Sequence, residues 1–138
     1  MVAFTRFEKF SEDLAEKVHN LDADTLRVYL SNTAPTVATN AVKADLAEIT
    51  NQNGYTAPVD TQNATSRSGA VTSVTGTDFT VTAAGGTVGP FRYAVLYNDT
   101  PTSPADPLIG FWDYGSAITL ADGESFTVDF GTSMFTVG

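Results

Sequence analysis

Cysteine is absent from this 138-residue chain. That removes disulfides, thiolate zinc sites and cysteine nucleophiles together. Histidine is nearly as scarce: His19 stands alone, so a His-rich metal site is excluded and a His-dependent nucleophilic triad has one candidate base at most. Basic residues number 7 against 16 acidic ones, a net charge of −9. A surface that acidic repels phosphate backbones, and no nucleic-acid partner is expected. Long apolar runs are also missing. Ala94-Val95-Leu96-Tyr97 is typical of those present, far short of the roughly 20 residues that cross a bilayer, and no membrane partner is expected. Residues Met1 to Phe10 mix charges with aromatics and lack the apolar centre of a leader. The expectation is a soluble protein made in the cytoplasm.

What is present points to a folded chain: 42% hydrophobic and 17% charged residues are enough apolar material for a core and too little charge for disorder. The length fits a single domain, 1–138. Within it, residues 1–21 read as an N-terminal amphipathic helix or arm and residues 22–138 as a β-rich body. Phe4, Phe7, Phe10, Leu14, Val18 and Leu21 recur at steps of three or four, one face of a helix over 4–21. Thr5 and Glu8 have capping-box spacing. His19 falls in the last turn of that helix, where a cation complements the carbonyl-rich end.

Beyond residue 21 the period changes to two. Leu26, Val28 and Leu30 alternate along one strand. Residues 40–50 read as a short helix begun by Asn40, followed by an Asn53-Gly54 turn. The Thr- and Ser-rich stretch 56–70 reads as an exposed loop or a weakly packed edge strand. Phe79, Val81 and Ala83 form one strand face, and Phe91, Tyr93, Val95 and Tyr97 another. Apolar Ala94 and Leu96 on the reverse side make that strand central, covered on both faces. Leu108–Tyr114 is a further strand. Ile118 and Leu120 face Phe126, Val128 and Phe130 across an Ala121-Asp122-Gly123-Glu124 hairpin turn, and Phe135 and Val137 close the chain. The fold class is therefore mainly β, an antiparallel β-sandwich or jelly-roll-like domain with an N-terminal α-helix. Its expected core includes Phe91, Tyr93, Val95, Phe126, Val128 and Phe130.

Candidate chemistry is thin. The loop Asn98 to Pro107 offers Asp99, Asp106 and an amide oxygen to a calcium ion, without the Asp-x-Asp-x-Asp-Gly pattern of a dedicated loop. Trp112-Asp113-Tyr114 near Glu124 and Asp129 has the residue types of a sugar-processing site, although alternating carboxylates in a sheet most simply face water. Gly85-Gly86-Thr87-Val88-Gly89 lacks the Lys-Ser/Thr ending of a phosphate loop and reads as a turn. No enzyme activity, metal or cofactor is expected. The Phe4, Phe7, Phe10 and Leu14 cluster is the candidate interface with a neighbouring subunit, weighed against a purely intramolecular core.

The segments Val88–Asp99, Pro107–Gly115 and Leu120–Phe130, together with Phe7–Leu21 and Ala47–Tyr55, carry a resemblance that covers most of the chain. They resemble small virion structural proteins of tailed bacteriophages, in which a central strand is followed by a Gly- and Trp-containing strand and a glycine-turned terminal hairpin. The resemblance implies a capsid decoration (cement) protein. Such a protein binds the major capsid protein or other virion proteins in many copies, as a homo-oligomer and most simply a trimer, and resides in the virion. A tail-tip or fibre-associated protein, contacting host glycans through Trp112, Tyr114, Tyr93 or Tyr97, is the alternative it implies.

Overall fold

The computed structural model describes residues 2–138. The chain is mainly β, with antiparallel sheets and one short helix, and its layering is β-sandwich-like. In order it runs β1 (Phe4–Arg6), α1 (Glu8–Ala15), β2 (Leu26–Ser31), β3 (Val59–Asp60), β4 (Ala64–Ser68), β5 (Val71–Thr75), β6 (Phe79–Thr82), β7 (Val88–Asn98), β8 (Leu108–Leu120), β9 (Ser125–Val128) and β10 (Phe135–Val137), with a single 3-10 turn at Lys43–Asp45. The largest sheet has the order β1-β8-β7-β2-β3. Two smaller sheets, β10-β5-β4 and β6-β9, complete the set. Among the described residues no helix is long and apolar enough to cross a membrane.

The large sheet is covered on both faces, and strand alternation explains how. Leu26, Val28 and Leu30 of β2 join Ala94 and Leu96 of β7 in the principal cluster, packed against Val74, Val81, Val128 and Phe130 of the smaller sheets and the chain that links them. Tyr29 of β2 with Tyr93, Val95 and Tyr97 of β7 form a second cluster on the opposite face, closed by Leu46 and Val37 from the segment between β2 and β3. A strand buried on both sides carries apolar residues at every position, which is what Tyr93–Tyr97 supplies. Its centrality is as the alternation predicts. Phe91, however, belongs to the principal cluster and not with Tyr93. Register shifts flank Phe91 in the β7–β8 ladder, and such bulges change which face a side chain meets.

The N-terminal reading needs correction. Residues 4–6 are strand, not helix: Phe4, Thr5 and Arg6 lie opposite Trp112, Phe111 and Gly110. The helix is only eight residues long. Phe7 occupies its N-cap position without any side-chain cap, so Thr5 and Glu8 form no capping box. It stops at Ala15 because Lys17 adopts a left-handed conformation (φ 64°). Lys17 N–H then bonds the Leu14 carbonyl and Val18 N–H the Asp13 carbonyl, the paired bonds of a Schellman ending. That position usually holds glycine, so the sequence carries no warning of it.

The four candidate interface residues turn inward as well. Phe7 and Phe10 are buried, and Phe4 and Leu14 are half-buried against the principal cluster. Phe4 packs on Trp112 (4.9 Å) and stacks on Phe135 (5.2 Å), Phe7 meets Phe111 (5.3 Å), and Phe10 meets Phe135 edge-on (5.7 Å). The three rings are divided between the two faces of the sheet, so they form no common stripe for a partner. Gly110 makes this possible: a Cβ there would collide with the Phe4 ring and lie 2.6 Å from the Thr5 carbonyl oxygen.

Two further elements differ. The expected helix over 40–50 is reduced to the 3-10 turn, where the Asp45 carboxylate accepts N–H bonds from Ala41 and Val42. This local competition with the helix is typical of Asp. The turn at 121–124 exists, with Glu124 N–H bonded to the Ala121 carbonyl and Gly123 at φ 91°, yet its flanking strands do not pair. β8 pairs with β7 and β9 pairs with β6, so the turn carries the chain from one sheet to another. Residues 56–70 form the exposed edge strand β4 and the short β3, as read.

Five of the six expected core residues are buried, and Phe126 is half-buried. Phe91→Ala should therefore cost about 3–5 kcal/mol in urea unfolding, and Phe126→Ala distinctly less. Equal losses would place Phe126 in the closed core.

Candidate functional site

The acidic loop after β7 was the candidate calcium site. Its donors are already committed. The Asn98 Oδ1 accepts Thr100 N–H at 3.1 Å, and its Nδ2 donates to Asp24 Oδ2 at 2.7 Å. Asp99 Oδ2 lies 3.1 Å from Arg27 Nε. Burial and the adjoining Asp99 carboxylate push the Asp106 carboxyl above its usual range, with Lys43 opposing. With Asp99 paired to Arg27 and the charged form of Asp106 disfavoured by burial, the loop is a poor oxygen cage for a divalent cation. No cluster of three or more potential metal ligands occurs among the described residues.

The aromatic-carboxylate grouping also disperses. Trp112, Tyr97 and Tyr93 are buried, and Tyr114 is half-buried with its hydroxyl pushed up to about 12, mainly by burial. They form no exposed platform for stacking on a sugar. Tyr114 instead meets Phe126 edge-on at 4.9 Å. Asp113 is gripped in a two-pronged pair by Arg92, with Nε to Oδ1 at 2.8 Å and Nη2 to Oδ2 at 3.1 Å, and also accepts Gly115 N–H. The Arg92 guanidinium holds the Asp113 carboxyl below the usual range. Glu124 caps Ala121 N–H and Asp129 accepts Gly131 N–H. Each carboxylate closes a local turn.

His19 is not a helix-end cap. It lies beyond the helix, buried, 5.1 Å from the Phe10 ring, with Nδ1 3.0 Å from Asn98 Nδ2. Buried Asp13 sits close by, its Oδ1 3.1 Å from Lys9 Nζ. The Lys9–Asp13 spacing of four was readable as a helix pair. The joining of Asp24, Asn98 and His19 was not, because the partners come from segments more than 70 residues apart.

Two open grooves of about 420 Å³ flank β1. One is lined by Phe4, Arg6, Phe135, Thr136 and Gly138, the other by Phe4–Glu8 and Ser11. β1 and β10 are outer strands of their sheets. Phe7 N–H bonds Ile109 inward and Glu8 N–H bonds Val37 outward. That alternation turns the main-chain groups of Phe4 and Arg6 to the outside. Arg6 has no ion-pair partner among the described residues. Val71, 40% exposed, is the one large hydrophobic residue that is more exposed than half-buried among those described.

Comparison with family models, curated proteins and solved structures finds no match to this chain.

Because the loop donors are satisfied internally, millimolar calcium should leave Tm unchanged, and so should EDTA. A chelator-induced fall in Tm, checked by metal analysis, would place a bound cation at Asp99 and Asp106.

Proposed function

We propose that this chain is a structural protein of a tailed-bacteriophage virion, a capsid decoration (cement) protein bound in many copies to the outside of the head. One observation carries the reading. The fold spends most of its aromatic side chains on its own interior and its candidate carboxylates on turns and ion pairs, while the outer edge of β1, whose inner edge pairs with β8, stays without a strand partner. Such a body binds by shape and main-chain contact, through repetition of a modest interface. Three of the five segments that carry the resemblance, Val88–Asp99, Pro107–Gly115 and Leu120–Phe130, lie on β7, β8 and β9, and β8 holds the β1 edge in place. A charge of −9 per copy keeps unassembled subunits apart.

Self-association, most simply as a trimer, and the major capsid protein as partner belong to the same proposal. The interface moves from the Phe4, Phe7, Phe10 and Leu14 cluster, consumed by the core, to the outward edge of β1. A contact of this kind is only weakly screened, while repulsion between crowded acidic copies is relieved by salt. Titrated onto undecorated heads, the protein should bind as well or better as salt rises. Arg6→Pro removes an outward N–H without touching the β1–β8 bonds, and should weaken binding about tenfold with the melting curve retained. Binding lost at moderate salt would transfer the contact to acidic side chains. No binding to heads under any condition would remove the decoration role.

A further inference from the structure

The sole histidine sits in a polar cluster whose hydrogen-bond directions are fixed by its neighbours. Thr100 N–H is bonded to Asn98 Oδ1, which sets the amide's orientation, and Asn98 Nδ2 faces both Asp24 Oδ2 and His19 Nδ1. An amide nitrogen only donates. His19 Nδ1 must therefore accept, which makes the ring neutral with its proton on Nε2. That Nε2 is buried without a hydrogen-bond partner, and so is Asp13 Oδ2. We propose that His19 is a proton-operated latch: when neutral it fastens the chain just after α1, residues 16–20, to the end of β7 through Asn98, and when protonated it releases that stretch. Asp24 and Thr25 keep their own bonds to Asn98, Asp99 and Thr100 in either state.

The chemistry follows from donor counting. Protonation puts an N–H on Nδ1, so two donors oppose each other across 3.0 Å. Asn98 cannot turn its oxygen to the ring without giving up both Thr100 and Asp24. The ionisable groups facing the ring are Asp13 of α1, which is also paired with Lys9, and Asp24 of its own segment. Asn98 of β7 and the Phe10 ring complete the surroundings. Both carboxylates attract an imidazolium that has left Asn98, giving the open form somewhere to go. In the closed form burial outweighs that attraction and holds His19 below its ordinary value. The native chain then binds fewer protons than the unfolded one at mildly acid pH. The latch's contribution is complete above about pH 6.5 and falls away as pH drops through the folded value. This inference is independent of the decoration role.

A single histidine gives single imidazole resonances. Nitrogen-15 NMR of the native chain should show the proton on Nε2 and a titration midpoint below about 6.5. Between pH 7 and 5, amide exchange in residues 16–20, corrected for intrinsic rates, should accelerate while Ala94–Leu96 stays protected. His19→Gln, which cannot titrate, should abolish that pH dependence. A proton on Nδ1, a midpoint at or above 6.5, or equal acid loosening in His19→Gln would overturn the latch. If His19→Gln does not fold, the tautomer and midpoint of the natural chain decide alone.

Discussion

The antiparallel pairing of β7 with β8 is the constraint on which everything else rests. β7 is the longest uninterrupted run of buried strand, and six of its residues, Tyr93–Asn98, are closed off from solvent. A strand in that position has unpaired main chain to satisfy on both edges and apolar side chains to bury on both faces. β8 meets one edge along almost its whole length and β2 meets the other. The two faces need separate covers, and the rest of the chain is spent providing them. The small sheets cover one, and the segment around Val37 and Leu46 covers the other. The eight-residue helix adds the Phe10 ring to the first.

This arrangement also explains why polar side chains, several of which look functional in sequence, are structural in place. Where a double-sided sheet ends, polar main chain meets the core boundary and must be paired there. Asn98 at the end of β7, Asp113 within the irregular part of β8 and Asp45 below the second cluster all sit at such boundaries. Each accepts N–H bonds from nearby loops or grips a cation brought in from an adjacent strand. Arg92 and Asp113 stabilise the region where the β7–β8 register slips. The Gly115 N–H that Asp113 also accepts belongs to the extra residues of that slip. Chemistry-bearing residue types are used up as fasteners.

What could be read in advance follows the same division between local and distant causes. Alternation revealed β2, β6, β7 and most of β8, because strand burial repeats every two residues. The double-sided burial of β7 was legible from Ala94 and Leu96. The first turn of the expected helix was misread because Phe4, Phe7 and Phe10 have a spacing that suits both a helix face and a strand-to-helix corner. Only pairing with Trp112, more than 100 residues away, decides between them. The hairpin at 121–124 failed for a related reason: a turn determines local direction but not which strand lies alongside. The His19 cluster was illegible because Asn98, Asp24 and Asp13 converge only once α1 ends early, and a lysine stands at the left-handed residue that ends it.

The edges of the sheets show a balance between safety and availability. Unpaired edges invite uncontrolled pairing, and short strands or charge normally discourage it. Here β1 has three residues and carries Arg6, β3 has two and carries Asp60, and β4 is polar with Arg67. None is long or apolar enough to template an aggregate, and repulsion between copies at −9 adds a second barrier. Each short edge offers a partner strand only a few main-chain bonds, so pairing between free copies gains little and must still overcome the repulsion of two acidic surfaces.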